Sequence, residues 1–238
     1  MLPLREWLAS PEYLAVKKLS MGDLVSKEFF RDPLRPTYIM PEYFFSPADG
    51  TVLYVFDNIK PKDALIRIKG KKYTVQDALD DKDYNYNSIF ISIFMSQADC
   101  HVNRICTSGY IKQERITPYL FTNNLSMISE EQDILEEADI KTEDMGYVFQ
   151  NERVVMSVYY PRIRQIYYLV QIAEKDVDVI CNFTKQGFLI QSERYGIVRF
   201  GSEVQIVIPL INKEIKYEIL AKRGYHIEAG IDRIIKIL

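Results

Sequence analysis

The chain has 238 residues, 47% hydrophobic and 26% charged, with 30 Lys and Arg against 33 Asp and Glu for a formal net charge of −3. This is an ordinary globular composition, long enough for one large domain or two small ones, and it lacks the cationic field that nucleic-acid binding requires. Three cysteines, Cys100, Cys106 and Cys181, are odd in number and show no CxxC spacing, which argues against a disulfide framework or a zinc site and for reduced thiols in a cytoplasmic protein.

The N-terminus MLPLREWLASPEYLAVKKLS has no signal-peptide core, and no window approaches the roughly 18 apolar residues of a spanning helix. Over residues 4–30 apolar side chains recur at mixed helical spacing, which predicts one or two short amphipathic helices. Ser10-Pro11 reads as a helix cap followed by a first-turn proline. Such a helix packs on its own domain, or it touches a membrane through Trp7 and Leu8. Pro33, Pro36 and Pro41 then punctuate an extended stretch.

From residue 44 the pattern turns to strand. The runs Thr51–Phe56, Leu65–Lys69, Ile89–Met95, Gly109–Arg115, Val154–Tyr159, Ile166–Ala173, Val177–Asn182, Gly196–Phe200 and Val204–Pro209 are short and rich in β-branched and aromatic residues. Val75–Leu79 predicts a short helical turn, and the acidic stretch Ser129–Asp139 a helix or an ordered loop. The expected fold is mainly β (α+β): an antiparallel barrel- or sandwich-like body with short N-terminal helices. Residues 1–43 form a lead-in and residues 44–238 one β-rich domain.

Four segments could carry chemistry. Ser46-Pro47-Ala48-Asp49-Gly50 reads by itself as a turn in which Asp49 bonds local backbone. The polar loop after Met95 holds His101, one of only two histidines, and an imidazole there can serve as general base near neutral pH. Asn151-Glu152-Arg153 reads as a solvated turn. Gly201-Ser202 lies between two strand-like runs, where glycine leaves its carbonyl open to attack by the next hydroxyl. Each is weak alone. His226, in the tail GYHIEAGIDRIIKIL, reads as structural, with Gly224 and Gly230 as turn residues before a last strand.

Taken in order, the segments FFSPADGTV, FMSQADCHVNR, QNERV and ERYGIVRFGSEVQIVIP resemble the motifs of the phosphatidylserine decarboxylase family, in its short, soluble-looking bacterial and archaeal branch. FFRDPLRP and IRIKGKKYTVQDAL are similar to two further family stretches, so the resemblance runs from about residue 27 to 210. Four ordered motifs are far more specific than any one of them. The chain departs from the pattern in three places. Glu203 stands where the short branch often has arginine, CTSG replaces the usual APxxG, and IYYLVQIAEKDVDVICNF has no glycine.

The resemblance implies self-cleavage between Gly201 and Ser202 into a β chain, 1–201, and an α chain, 202–238. It makes Ser202 the precursor of a covalent pyruvoyl group, His101 the triad histidine and Asp49 the triad acid; Asp99 is the alternative acid if Asp49 is not the one. The implied activity is conversion of phosphatidylserine to phosphatidylethanolamine and CO2 through a Schiff base, with no metal. The alternatives are a free amino acid as substrate, and a non-processing relative kept as a binding or scaffold protein. The expected partners are the two chains themselves, a phospholipid or amino-acid substrate and a peripheral membrane surface on the inner face of the cell membrane, with a homodimer left open. Nucleic acid is not among them.

Overall fold

The computed structural model describes residues 1–117, 125–143, 145–175, 180–199 and 202–238. In chain order its elements are β1 (Leu2–Pro3), α1 (Leu4–Leu8), α2 (Pro11–Val16), α3 (Met21–Ser26), β2 (Tyr43–Phe45), β3 (Gly50–Ile59), β4 (Ile66–Ile68), β5 (Lys71–Tyr73), α4 (Val75–Ala78), β6 (Ser88–Met95), β7 (Val102–Arg104) and β8 (Gly109–Thr117). There follow α5 (Ile128–Gln132), β9 (Arg153–Tyr160), β10 (Gln165–Ala173), β11 (Ile180–Asn182), β12 (Gln186–Leu189), β13 (Arg194–Val198), β14 (Ser202–Pro209), β15 (Tyr217–Ile219), β16 (Tyr225–Ile227) and β17 (Arg233–Ile237).

The helices are short, and three of them, α2, α3 and α4, are held by side-chain caps. Ser10 Oγ accepts from the Tyr13 N–H at 3.2 Å with Pro11 in the first turn. Ser20 does the same for α3. Thr74 and Asp77 form a reciprocal capping box on α4.

Nine strands form one antiparallel sheet in the order β1-β16-β3-β6-β14-β10-β9-β8-β12. Two three-stranded sheets, β11-β13-β7 and β15-β17-β2, and the hairpin β4-β5 complete the β structure among the described residues. The large sheet does not close on itself, so the body is sandwich-like and not a barrel.

β6 and β14 lie at its centre, and every residue of both is buried. Such two-sided burial explains why SIFISIFM and SEVQIVIP read as near-continuous apolar runs. The period of two divides the side chains between two cores. Phe90, Phe94 and Val207 face one core, roofed by Leu4, Trp7 and Tyr13 of the N-terminal helices. Ile91, Ile93, Met95, Val204 and Ile206 face the other, closed by Phe44, Ile234 and Ile235 of the small sheet.

The N-terminal helices therefore pack on their own domain. Trp7 is only 6% exposed and stacks on His226, with ring centroids 3.9 Å apart. It is not available to a membrane, and Leu8 packs against the same core. The exposed apolar side chains of this end include instead Leu2, Leu14, Phe30, Leu34 and Ile39. No described helix is long and apolar enough to cross a membrane.

Candidate active site

Asp49 sits where the SPADG turn enters β3, and Ser46 Oγ ties the turn by donating to the Ala48 carbonyl at 2.7 Å. Gly50 follows because nothing larger fits: at φ +145° a Cβ would lie 2.0 Å from the Phe94 carbonyl oxygen on β6. The Asp49 carboxylate is buried and bonded on both oxygens. Arg35 grips it with a two-pronged fork, Nη1 to Oδ1 and Nη2 to Oδ2, both 2.6 Å. The Ala229 N–H donates to Oδ1 at 2.7 Å, and Arg35 Nη1 also reaches the Ala229 carbonyl. Burial opposes the guanidinium charge, but the fork on Asp49 outweighs it, and Arg35 titrates above its ordinary value.

His101 is fully buried just before β7. Its Nδ1 lies 3.1 Å from the Asp99 main-chain carbonyl, and Phe29 packs on the ring at 4.9 Å. A carbonyl only accepts, so Nδ1 carries the hydrogen and Nε2 presents a lone pair. Among the described residues Nε2 has no hydrogen-bond partner. Burial pushes the imidazole down to about 4, so it is neutral at pH 7 and can take a proton.

Asp99 is held on both oxygens. Oδ2 accepts from the Ser96 N–H at 2.8 Å and from Ser96 Oγ at 2.7 Å, while Oδ1 meets His226 Nε2 at 2.6 Å. Burial raises this carboxyl, yet His226 and Ser96 together hold it below its usual range. Trp7, Arg35, Asp49, Asp99 and His226 all border one cavity of about 580 Å³, whose lining includes neither His101 nor Ser202.

Ser202 opens β14, fully buried, opposite Met95 on β6 and Ala173 on β10. Its Oγ touches Met95 Sδ at 3.3 Å. The same sulfur receives Asn103 Nδ2 at 3.6 Å, and Asn103 Oδ1 accepts from Gln171 Nε2 at 2.8 Å. The Val198 N–H donates to the His101 carbonyl at 3.2 Å. The histidine segment is thus bonded to the chain leading to Ser202, and its Asn103 shares an atom with the serine. Phe200 and Gly201 lie outside the described residues, as do residues 177–179 of a predicted strand.

The structure brings Asp49, His101 and Ser202 into one end of the fold without linking them by hydrogen bonds. Asp49 meets Arg35 and Ala229, His101 meets Asp99, and Ser202 meets Met95.

The NER turn is buried, not solvated. Asn151 holds Leu125 on both main-chain groups and donates to the Ala173 carbonyl at 2.9 Å, and the Ala173 N–H bonds the Glu152 carbonyl. It fixes the residue paired with Ser202. Glu203, on the opposite sheet face, is fully buried and accepts from Ser92, Tyr54, Tyr147 and Gln205. Burial pushes its carboxyl up against the pull of those four donors.

Sequence reasoning missed Arg35, Met95, Gln171 and the role of His226. Arg35 lay inside a quoted motif, FFRDPLRP, without a role. Met95 likewise lies inside FMSQADCHVNR, while Gln171 and His226 carry no local signal, because their partners come from distant parts of the chain. Among the described residues no group of three or more His, Cys, Asp or Glu side chains could hold a metal.

Comparison with known proteins supplies the context. A family model described as phosphatidylserine decarboxylase matches residues 24–234. The phosphatidylserine decarboxylase proenzyme of Pelagibacter ubique is 31% identical over 203 residues, 85% of this chain and 75% of that protein. The proenzyme of the same name from Beijerinckia indica is 30% identical over 205 residues, covering 85% and 71%. That from Cupriavidus taiwanensis is 29% identical over 184 residues, covering 77% and 67%.

Proposed function

Because this chain belongs to the phosphatidylserine decarboxylase family, we propose that it cuts itself between Gly201 and Ser202 and uses a pyruvoyl group made from Ser202 to decarboxylate phosphatidylserine. One observation carries the reading: Ser202 Oγ and Asn103 Nδ2 meet on Met95 Sδ, two residues along from a buried, neutral His101 whose Nε2 has no partner among the described residues.

In the cut, His101 Nε2 takes the proton of Ser202 Oγ, and the oxygen attacks the Gly201 carbonyl carbon, turning the amide into an ester. Loss of the Gly201 carboxylate and hydrolysis then release ammonia and leave the ketone at position 202. Asp49 is the proposed acid of the triad, and its Oδ2, which accepts from Arg35 alone among the described residues, keeps a second acceptor site for the imidazole. The Asp99 carbonyl meanwhile fixes the imidazole tautomer.

The residues around position 202 suit a pyruvoyl group. The Ser202 hydroxyl rests on a thioether, a weak acceptor, so the departure of that oxygen with the Gly201 carboxylate, leaving a methyl in its place, strands no strong hydrogen-bonding partner. When present, that group supplies an electron sink for loss of CO2 from an amine-bearing acid. His101 Nε2, after taking a proton that the substrate's ammonium group sheds, gives it to the product carbon in place of CO2. A lipid substrate is supported over a free amino acid by Leu34, which borders the cavity yet is 95% exposed, with Ile39 at 65% nearby in sequence.

The test is the mass of the purified protein under denaturing conditions, followed by CO2 release from phosphatidylserine vesicles and from free serine. The expected result is two chains meeting at 201/202, with a blocked N-terminus on the smaller, and release from the vesicles. Ser202→Ala leaves a single inactive chain. Two chains from that variant would refute the site assignment, and an intact wild-type chain would favour a scaffold protein.

A further inference from the structure

His226 is the chain's second histidine, and neither the proposed cut nor the decarboxylation uses it. It lies on β16, between β1 and β3, 6% exposed. One face stacks on Trp7, with an interplanar angle of 8°. Its Nε2 meets Asp99 Oδ1 at 2.6 Å, the length of a charge-assisted bond. Because the Asp99 carboxylate accepts, His226 Nε2 is the donor.

Asp99 has two jobs at once. Its side chain ties the turn from Ser96 on one oxygen and His226 on the other, while its main-chain carbonyl holds His101 Nδ1. The turn is also tied at the Gln97 N–H, which donates to Glu131, and at the Ala98 carbonyl, which accepts from Arg31, whereas at Asp99 itself the bonds to Ser96 are local. Among the described residues the bond to His226 is the one long-range side-chain hydrogen bond of Asp99, and it ties that carboxylate to a strand of the large sheet.

We propose that His226 is a positioning residue for the reaction at Ser202. Through Asp99 it clamps the turn that presents His101, keeping the imidazole as the Nδ1–H tautomer with Nε2 bare. Residue 226 lies beyond the cut, so in the mature protein the α chain clamps the general base of the β chain. The inference rests on the reading of His101 as that base.

Two substitutions separate donor from packing. His226→Gln keeps an N–H donor and loses the ring. His226→Phe keeps a ring for Trp7 and loses the donor. In the full chain carrying Ser202→Ala, with only two histidines in the sequence, nitrogen NMR of the imidazoles reads the tautomer of His101 directly. The parent and the Gln variant are expected to show His101 with Nδ1–H and a bare Nε2, and the Phe variant to show averaging of the two tautomers. With Ser202 intact, cleavage is expected to slow at least about tenfold in the Phe variant and to stay within about threefold in the Gln variant.

A Phe variant with an unchanged tautomer and rate overturns the clamp, as does a Gln variant that loses both. Should the Phe chain not fold, the Gln variant still decides. If wild-type protein never cleaves, the processing reading fails, while the tautomer spectra still test the clamp.

Discussion

His101 pays for its readiness with solubility of its charged form. An imidazole brought from 6.5 to about 4 by burial stays unprotonated in the fold while the unfolded chain takes up a proton. The stability it contributes is therefore complete above the unfolded value and is lost as pH falls from 6.5 toward 4. The shift corresponds to about 3 kcal/mol. In the Ser202→Ala background, His101→Gln should remove this loss, so the gap in unfolding free energy between the two proteins should change by about 3 kcal/mol from neutral pH to pH about 4. A gap that stays constant in denaturant titrations would show that the imidazole is not held neutral by burial. The two acids part at the same scale. Asp49→Asn loses the charge that faces Arg35 and should slow the cut, whereas Asp99→Asn should act chiefly on the turn, because the atom that orients His101 is the Asp99 main-chain carbonyl. Equal cleavage rates for Asp49→Asn and wild type, read by denaturing gel, would leave Asp99 as the acid. The motifs made Asp49, His101 and Ser202 legible in the sequence. Arg35, Met95 and His226 were not, since a bidentate fork or a 2.6 Å bond across 127 residues leaves no local pattern.

Elements carry these groups, and the strand signals were readable where both faces are buried. Ile89–Met95 and Val204–Pro209 fall on β6 and β14, the two central strands. Short edge pieces such as β1, β12 and β15 gave little signal, because two to four residues with an exposed face show no periodicity. The Ser129–Asp139 stretch resolves into α5 followed by a π turn ended by Ala138 at φ 52°. The meeting of β3 with β6 has the tightest backbone approach near the site. Gly50→Ala must move β3 off Phe94, and it combines a blocked contact with a disfavoured φ. Its expected effect is a loss of about 3 kcal/mol or more in stability, seen as a thermal midpoint lowered by several degrees. An unchanged midpoint would mean that the strand pair yields easily there.

For the whole molecule, the order β1-β16-β3-β6-β14-β10-β9-β8-β12 was out of reach of a sequence reading, because adjacent strands come from opposite ends of the chain. That interleaving governs what a cut after residue 201 does. β14 remains between β6 and β10, β16 between β1 and β3, and β17 beside β2. The two chains should therefore co-elute as one species in native buffer and separate only in denaturant. Release of the 202–238 piece under native conditions would contradict the described strand order.

The position of Ser202 at the mouth of a central strand also changes the molecularity of folding. The uncut chain assembles its sheet in a unimolecular process that is indifferent to dilution. Once the peptide bond is gone, the middle strand must be found by collision, so recovery from denaturant should fall as the protein is diluted, while Ser202→Ala recovers equally at every concentration. A mature molecule that unfolds has then lost the connection by which it was first built.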